Sequence, residues 1–136
     1  MFELDPQLAS DCITIKSLAL SELLLMNDAN YPWLILVPRV AGATELIDLS
    51  RSEQQQLLEE IDKVSKVLQS IFNPDKLNIA TLGNMVKQLH VHCIARHHKD
   101  PSWPKPVWGQ VPAQRYPEVA LAERITQLRK TLDQLT

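Results

Sequence analysis

Gln88-Leu89-His90-Val91-His92-Cys93-Ile94 is the stretch of sequence on which the fold and the function of this chain depend. Its polar and apolar side chains alternate, which predicts a β-strand that extends from Val86 to Ala95. Because successive side chains of a strand point to opposite faces, Gln88, His90 and His92 are predicted to share one face. The other face is apolar and is predicted to belong to a hydrophobic core. The strand therefore presents two imidazoles and an amide from a firmly held element.

Two chemistries suit this pair of imidazoles, and a third interpretation assigns them none. A neutral imidazole can attack phosphorus and form a covalent histidine intermediate, while the second donates a hydrogen bond to a phosphoryl oxygen or to the leaving group. Histidines two residues apart on a strand can also share a metal ion, but zinc sites normally have three or four protein ligands. Cys93 is predicted to face away, and His97 and His98 lie beyond the regular alternation, so we predict no metal site. On the third interpretation, the histidines are polar side chains on a solvated sheet face.

The residues that follow the strand offer further contacts for a phosphorylated ligand. Arg96 falls on the same nominal face as His92, where a guanidinium could bind a phosphate; an ordinary surface arginine is the alternative. The loop from residue 96 to 112 is rich in proline and is predicted to be ordered but irregular. Its tryptophans, Trp103 and Trp108, could cover a nucleotide base by stacking or could anchor the loop to the core.

Upstream of this strand, the sequence predicts an antiparallel sheet. Two apolar runs enclose the turn-forming segment Asn27–Pro32 and are predicted to form a hairpin. A short turn at Gly83-Asn84 is predicted to make the preceding strand an antiparallel neighbour of the histidine strand. The predicted strands before the histidine strand are Cys12–Ile15, Ser21–Met26, Trp33–Val37 and Lys76–Thr81. For Ser21–Met26 a short helix is the alternative, and the turn-forming cluster that follows directly favours a strand.

Two amphipathic helices complete the predicted fold. Ser50-Arg51-Ser52-Glu53 is a capping-box pattern, and a long helix is predicted to follow it and to end at Asn73-Pro74-Asp75. A second helix is predicted over residues 117–135, with Pro117 in its first turn. The apolar faces are Leu57, Leu58, Ile61, Val64, Leu68 and Ile71 in the first helix, and Leu121, Ile125, Leu128, Leu132 and Leu135 in the second. We therefore predict an α+β fold in a single domain over residues 1–136: an antiparallel sheet of about five strands, one long helix packed on it and a C-terminal helix, with the core of the fold over about residues 10–110.

Composition excludes several classes of protein. The 136 residues are 45% apolar and 22% charged, and the net charge of −2 provides no broadly basic surface for nucleic acid. The longest apolar runs are too short to cross a bilayer, and the N-terminus has no basic region followed by an apolar stretch. Cys12 and Cys93 form neither a CxxC pair nor a zinc-finger spacing and are predicted to be reduced thiols. We expect a cytoplasmic protein without a nucleic-acid or membrane partner.

The histidine strand resembles the His-φ-His-φ-His-φ-φ signature of the histidine-triad (HIT) superfamily, in which φ is an apolar residue. Gly83-Asn84-Met85-Val86-Lys87 is similar to the glycine-containing segment before that signature. The extension from Arg96 to Gly109, with its tryptophans and prolines, resembles a bacterial subgroup with glutamine at the first triad position. Proteins of that subgroup are often labelled diadenosine tetraphosphate hydrolase-like. The resemblance covers about residues 10–110.

The resemblance implies a homodimer whose sheet continues between subunits, with a nucleotide α-phosphate held at the histidine strand. It implies that His90 is the nucleophile and that His92 binds the phosphate and assists the leaving group. Asn27 stands where relatives contact the ribose or its surroundings, and Asn84 where a glutamine usually contacts phosphate. No cofactor is implied.

Three positions depart from the family pattern. Gln88 replaces the first histidine of the triad and can form hydrogen bonds but cannot titrate near neutral pH. Trp33 stands where several relatives carry a supporting histidine, and Met85 where some carry a hydroxyl that contacts the leaving group. Two hypotheses follow: a nucleotide phosphoanhydride or phosphoramidate hydrolase that uses His90, with a dinucleoside polyphosphate or nucleoside phosphoramidate as substrate, or a nucleotide-binding homodimer with little catalysis.

Overall fold

The computed structural model describes residues 1–135 and has a five-stranded antiparallel sheet at its centre. Thr136, the last residue of the predicted domain, lies outside the described residues. The order of the strands across the sheet is β1-β2-β3-β5-β4, so the sheet ends on β1 at one edge and on β4 at the other. The strands are β1 (Cys12–Ser17), β2 (Ser21–Met26), β3 (Trp33–Pro38), β4 (Lys76–Ala80) and β5 (Val91–Arg96). The predicted hairpin is confirmed, since β2 and β3 pair antiparallel.

Three α-helices and one 3-10 turn accompany the sheet within residues 1–135. They are α1 (Pro6–Asp11), the 3-10 turn Leu46–Asp48, α2 (Arg51–Phe72) and α3 (Glu118–Gln134). The predicted capping box of α2 is confirmed: the backbone N–H of Glu53 donates to the Ser50 hydroxyl, and the Glu53 carboxylate accepts from the backbone N–H of Ser50. α1 was not predicted, because six residues are too few to display a helical period.

The main hydrophobic core lies between one face of the sheet and the helices α2 and α3. Alternate residues of the strands face it, and buried residues of α2 and α3 cover them. Most of the predicted apolar stripes are confirmed, but Leu58 and Leu135 were assigned to them wrongly and are 67% and 43% exposed. The α+β prediction is confirmed, with one long helix and a C-terminal helix on the sheet.

A second apolar cluster covers the opposite face of the sheet. It contains Trp33, Ile35 and Ile94 from the strands, Leu8 from α1 and Val107 from the loop that follows β5. The central strands β3 and β5 are therefore buried on both faces. Loop and N-terminal residues therefore cover the face of the sheet that carries the histidines. The interpretation of this face as solvated, one of the three offered from the sequence, is wrong.

The histidine strand is shorter than predicted. β5 begins at Val91, and residues 81–90 are an irregular segment, so Gln88 and His90 lie before the strand. The pairing of β3 with β5 explains this boundary, because it ends at the Leu36–Val91 partner pair. Just before that pair, the backbone N–H of Leu89 donates to the carbonyl of Ala43, which is outside the sheet, over 3.0 Å. The predicted antiparallel pairing of β4 with β5 is confirmed, although their connection is longer than the Gly83-Asn84 turn.

Candidate active site

His90 and His92 lie against each other at the start of β5. Their ring centroids are 4.8 Å apart, and the ring planes meet at 72°. Both side chains are nearly buried, with 7% and 5% exposure. The predicted pair is therefore brought together, although only His92 belongs to the strand.

The backbone orients the imidazole of His90. Its Nδ1 lies 2.7 Å from the carbonyl oxygen of Gln88. A carbonyl oxygen can only accept a hydrogen bond, so the proton is on Nδ1 of His90. In the neutral ring, the remaining lone pair is then on Nε2, which is the atom available to attack an electrophile.

A tryptophan orients the imidazole of His92. The indole N–H of Trp33 donates to Nδ1 of His92 over 3.0 Å. An indole nitrogen can only donate, so Nδ1 of His92 carries the lone pair and its neutral ring carries the proton on Nε2. Burial, together with the neighbouring His90, lowers the pKa of His92 to about 4, which keeps the ring neutral at physiological pH. The two histidines thus present opposite groups: a lone pair on His90 Nε2 and a donor on His92 Nε2.

Aromatic side chains enclose His92 and its tryptophan partner. Trp108 lies with its ring centroid 5.0 Å from that of His92 and 5.9 Å from that of Trp33, and Tyr31 packs edge-on to Trp33 at 6.2 Å. Trp33 was noted from the sequence to stand where several relatives carry a supporting histidine, but its contact with His92 was not predicted. Its place at the start of a strand next to the histidine strand could have indicated this contact, because aromatic side chains can reach diagonal neighbours across a sheet.

The amide of Gln88, which was predicted to share the face of the histidines, is directed to the N-terminal segment. Its Oε1 accepts from the backbone N–H of Asp5, and its Nε2 donates to the carbonyl oxygen of Glu3, each over 2.8 Å. The glutamine therefore holds residues 3–5 through both ends of its amide. Phe2 and Leu4 of this segment pack against the second apolar cluster.

Replacing Gln88 by alanine is expected to release the N-terminal segment. Loss of two hydrogen bonds to the backbone should lower the free energy of unfolding by about 1–2 kcal/mol, and the Asp5 amide should exchange its hydrogen faster. Hydrogen exchange followed by mass spectrometry and urea unfolding measure the two effects. Gln69→Ala, on the exposed face of α2, is the matched control. Unchanged exchange at Asp5 would contradict the assignment of Gln88 to this contact.

Arg96 was predicted as a phosphate contact, and its placement does not fit that role. Its side chain is 2% exposed, and it forms a two-point ion pair with Asp100, over 2.7 and 3.1 Å. Its other N–H groups donate to the Asn78 side chain and to the carbonyl of Lys105, over 2.9 and 2.8 Å. The guanidinium is thus occupied in holding the loop after β5. Sequence alternation placed Arg96 on the correct face but could not show that Asp100 folds back onto it.

The two tryptophans of that loop lie in different surroundings. Trp108 belongs to the site through His92, whereas Trp103 packs on the guanidinium of Arg96, at 5.6 Å, and on His98, at 4.7 Å. Trp103 therefore anchors the loop, which is one of the two roles predicted for it, and lies apart from the histidine pair.

The two asparagines predicted to contact a nucleotide differ in burial and in their hydrogen bonds. Asn27 is half-buried, and its side-chain oxygen accepts from the backbone N–H of Tyr116 over 2.9 Å. Asn84 is exposed within the irregular segment that leads to His90. Asn27 thus has a structural contact that sequence reasoning did not predict.

A shallow cleft of about 10 Å³ borders His90 and is lined by Thr44, Glu45, Thr81, Leu82, Gly83, Gln88 and Leu89. A larger cleft, of about 390 Å³, lies between α2 and the β1–β2 turn, next to Lys16 and Lys63. We place the chemistry at the smaller cleft, because it alone of the two is lined by an imidazole. Within residues 1–135, no group of three or more histidine, cysteine or acidic side chains is arranged to hold a metal ion.

Comparison with known proteins identifies the family. The sequence model of the protein family described as HIT domain matches residues 7–99 of this chain. The chain belongs to the HIT family. Two solved HIT proteins are similar over nearly the whole chain. A histidine triad protein from Bradyrhizobium japonicum is 47% identical, with a TM-score of 0.94 over 96% of this chain and 98% of that one. A histidine triad protein from Marinobacter aquaeolei is 45% identical, with a TM-score of 0.95 over 100% and 99%.

A third HIT structure, from Sinorhizobium meliloti, is 42% identical and has a TM-score of 0.93, with 96% of each chain covered. No curated protein sequence matches the chain. None of the helices in the described part of this HIT protein is long and apolar enough to span a membrane.

Proposed function

We propose that this HIT protein is a nucleotide phosphoanhydride or phosphoramidate hydrolase or transferase that acts through a nucleotidyl intermediate on His90. The HIT family comprises nucleotide-binding proteins with hydrolase and transferase activities. The observation that supports the proposal is the opposite protonation of two adjacent imidazoles. The contact with the Gln88 carbonyl leaves a lone pair on Nε2 of His90, and the contact with Trp33 leaves a donor on Nε2 of His92.

These protonation states suit a two-step displacement. In the first step, Nε2 of His90 attacks the α-phosphorus, the bond from phosphorus to the leaving group breaks, and its electron pair stays on the leaving atom. The N–H of His92 donates to the phosphoryl oxygen or to the leaving group as negative charge develops there. In the second step, water attacks the phosphorus, the P–N bond breaks, and His90 is restored as a nucleoside monophosphate and a proton are released. An alcohol or amine in place of water makes the reaction a transfer.

We propose a dinucleoside polyphosphate or a nucleoside phosphoramidate as the substrate class, in line with the resemblance to the bacterial diadenosine tetraphosphate hydrolase-like subgroup. Trp108, beside His92, is proposed to form the wall against the nucleotide. Asn84 is proposed to contact phosphate from the exposed segment before His90. For Asn27, whose oxygen accepts from Tyr116, we propose that the amide nitrogen donates to the ribose or its surroundings.

The alternative is a nucleotide-binding homodimer with little catalysis. One observation favours it: both ends of the amide that replaces the first triad histidine are engaged in hydrogen bonds with the backbone of residues 3–5. We propose that the dimer pairs along β4, because this strand lies at an edge of the sheet and Ile79 on it is 43% exposed. The free cysteines, Cys12 and Cys93, are in keeping with the proposed cytoplasmic location.

A trapped covalent adduct tests the proposed function. We expect the full-length protein, mixed with a nucleotide analogue whose leaving group departs quickly, to gain the mass of one nucleotidyl group at His90. Intact mass spectrometry measures the adduct, and peptide mapping locates it. His97, in the same chain but with its Nε2 held by the carbonyl of Phe72 over 2.9 Å, is the internal control and is expected to stay unmodified. Nucleotide binding by calorimetry without any adduct would favour the alternative.

A further inference from the structure

We propose that Trp33 is a positioning residue that fixes the orientation and tautomer of His92, so that His92 serves the reaction as a hydrogen-bond donor through Nε2. The inference rests on the proposed function for the role of His92 in the reaction. Its structural part, the control of one imidazole by one indole N–H, can be measured without any substrate.

The sheet register brings the two side chains together. Trp33, the first residue of β3, is the partner of Ile94 on β5, and His92 is two residues before Ile94 on the same face. Trp33 and His92 are therefore diagonal neighbours, a separation that a tryptophan spans and a shorter side chain does not. The contact depends on the pairing of β3 with β5, which joins residues 59 positions apart in sequence.

The chemistry of the indole makes the contact directional. Its N–H has no acceptor capacity, so only a histidine with a lone pair on Nδ1 can complete the hydrogen bond at 3.0 Å. If the imidazole moved its proton to Nδ1, or turned over, it would place a second donor or a C–H against the indole N–H. A buried donor without an acceptor is unfavourable, so both alternatives are disfavoured relative to the observed ring.

The indole is itself held in place. Trp33 is 6% exposed, packs edge-on to Tyr31 and lies perpendicular to Trp108 at 5.9 Å. Trp108 also contacts His92 directly, at 5.0 Å. The rings of Tyr31 and Trp108 leave the indole N–H little freedom to turn away from Nδ1 of His92. Burial and the neighbouring His90 also favour the neutral ring of His92, because both lower its pKa by disfavouring the charged form.

Nuclear magnetic resonance of the ¹⁵N-labelled full chain tests the structural part. The chain has four histidines, so the imidazole nitrogens can be assigned individually. In the unaltered protein, we expect His92 Nδ1 to be unprotonated and to show scalar coupling across the hydrogen bond to the indole N–H of Trp33. In Trp33→Phe, we expect a mixture of tautomers and a raised pKa of His92, because the N–H of Trp33 stabilises only the neutral ring. Unchanged His92 signals in Trp33→Phe would overturn the proposal.

Two further variants keep the test decisive. Replacing Trp33 by its benzothiophene analogue preserves the bicyclic shape but removes the N–H, and it serves if the smaller phenylalanine destabilises the fold. Tyr31→Phe is the matched control, because it removes a buried hydrogen bond to Ser102 while leaving Trp33 and its N–H in place. The tautomer of His92 should change in the first variant and stay unchanged in the second.

The rate of adduct formation on His90 tests the functional part. We expect both Trp33 variants to form the adduct about tenfold more slowly than the unaltered protein, with nucleotide affinity unchanged, since a misdirected donor weakens transition-state stabilisation more than binding. Equal rates despite an altered His92 tautomer would overturn the positioning role. Absence of the adduct even from the unaltered protein would refute the proposed function and the catalytic part of the inference, while the resonance measurements would still decide the structural part.

Discussion

His90→Ala is expected to lower turnover of a dinucleoside polyphosphate by about 10³-fold or more while the protein stays folded. The substitution removes Nε2 of His90, whose lone pair is directed by the contact from Nδ1 of the same ring to the Gln88 carbonyl over 2.7 Å. Nucleotide affinity should change little, because the nucleophile acts mainly in the transition state. Steady-state kinetics and calorimetry on the same preparation measure the two quantities.

His98→Ala is the control for His90→Ala. Its side chain is 66% exposed and packs on Trp103, which anchors the loop, so turnover should be unchanged. His90→Gly adds a positive test, since imidazole supplied in solution should restore part of the rate by occupying the vacated place. Turnover by His90→Ala at the rate of the unaltered protein would refute the proposed intermediate.

Arg96→Met is expected to lower the free energy of unfolding by about 3–5 kcal/mol, the usual cost of leaving one partner of a buried ion pair without the other. In the native protein, hydrogen bonds from Arg96 and from backbone N–H groups outweigh the effect of burial and lower the pKa of Asp100. Without the guanidinium, the buried carboxylate of Asp100 keeps only the backbone donors, those of His97, Ser102 and Trp103. Urea unfolding monitored by circular dichroism measures the loss.

Lys66→Met is the matched control for Arg96→Met. Lys66 and Asp62 form an ion pair with the same four-residue spacing, but their side chains are 63% and 62% exposed. Solvent screens such a pair, so the change should stay within about 0.5 kcal/mol. Adding Asp100→Asn to Arg96→Met should recover part of the stability, because it removes the uncompensated charge. Similar losses in the Lys66 and Arg96 variants would contradict the structural role given to Arg96.

The helices and strands that were predicted correctly are indicated by patterns of residues close together in the sequence. The hairpin of β2 and β3 follows from two apolar runs around Asn27–Pro32, and α2 follows from its capping box and its repeat of apolar residues. Hydrogen bonds of a helix and turns of a hairpin join residues close in sequence, so local patterns indicate them. Leu58 shows the limit of such patterns, because its exposure depends on how α2 is rotated against the sheet.

At the candidate site too, features set by nearby residues were predictable and features set by distant residues were not. The spacing of His90 and His92 was sufficient to predict that their rings lie close together. Their protonation was not predictable, since the partner of His92 is 59 residues away on another strand. The side chain of Gln88 was predicted to share a face with the histidines, but its amide forms hydrogen bonds with Asp5 and Glu3, which are 83 and 85 positions away in the sequence. The alternation of polar and apolar residues could not show that the N-terminal segment lies beside this amide.

The sequence by itself determined the antiparallel sheet with its two helices, the family resemblance and the histidine pair on which the proposal depends. Periodicity, capping and spacing are local properties, and local hydrogen bonds enforce them. Only the tertiary structure decided that β5 begins at Val91, that Arg96 is held by Asp100 and that Trp33 directs the proton of His92. The reason is that a buried polar group must find a partner wherever the packed chain brings one, and the distance along the sequence places no limit on that partner.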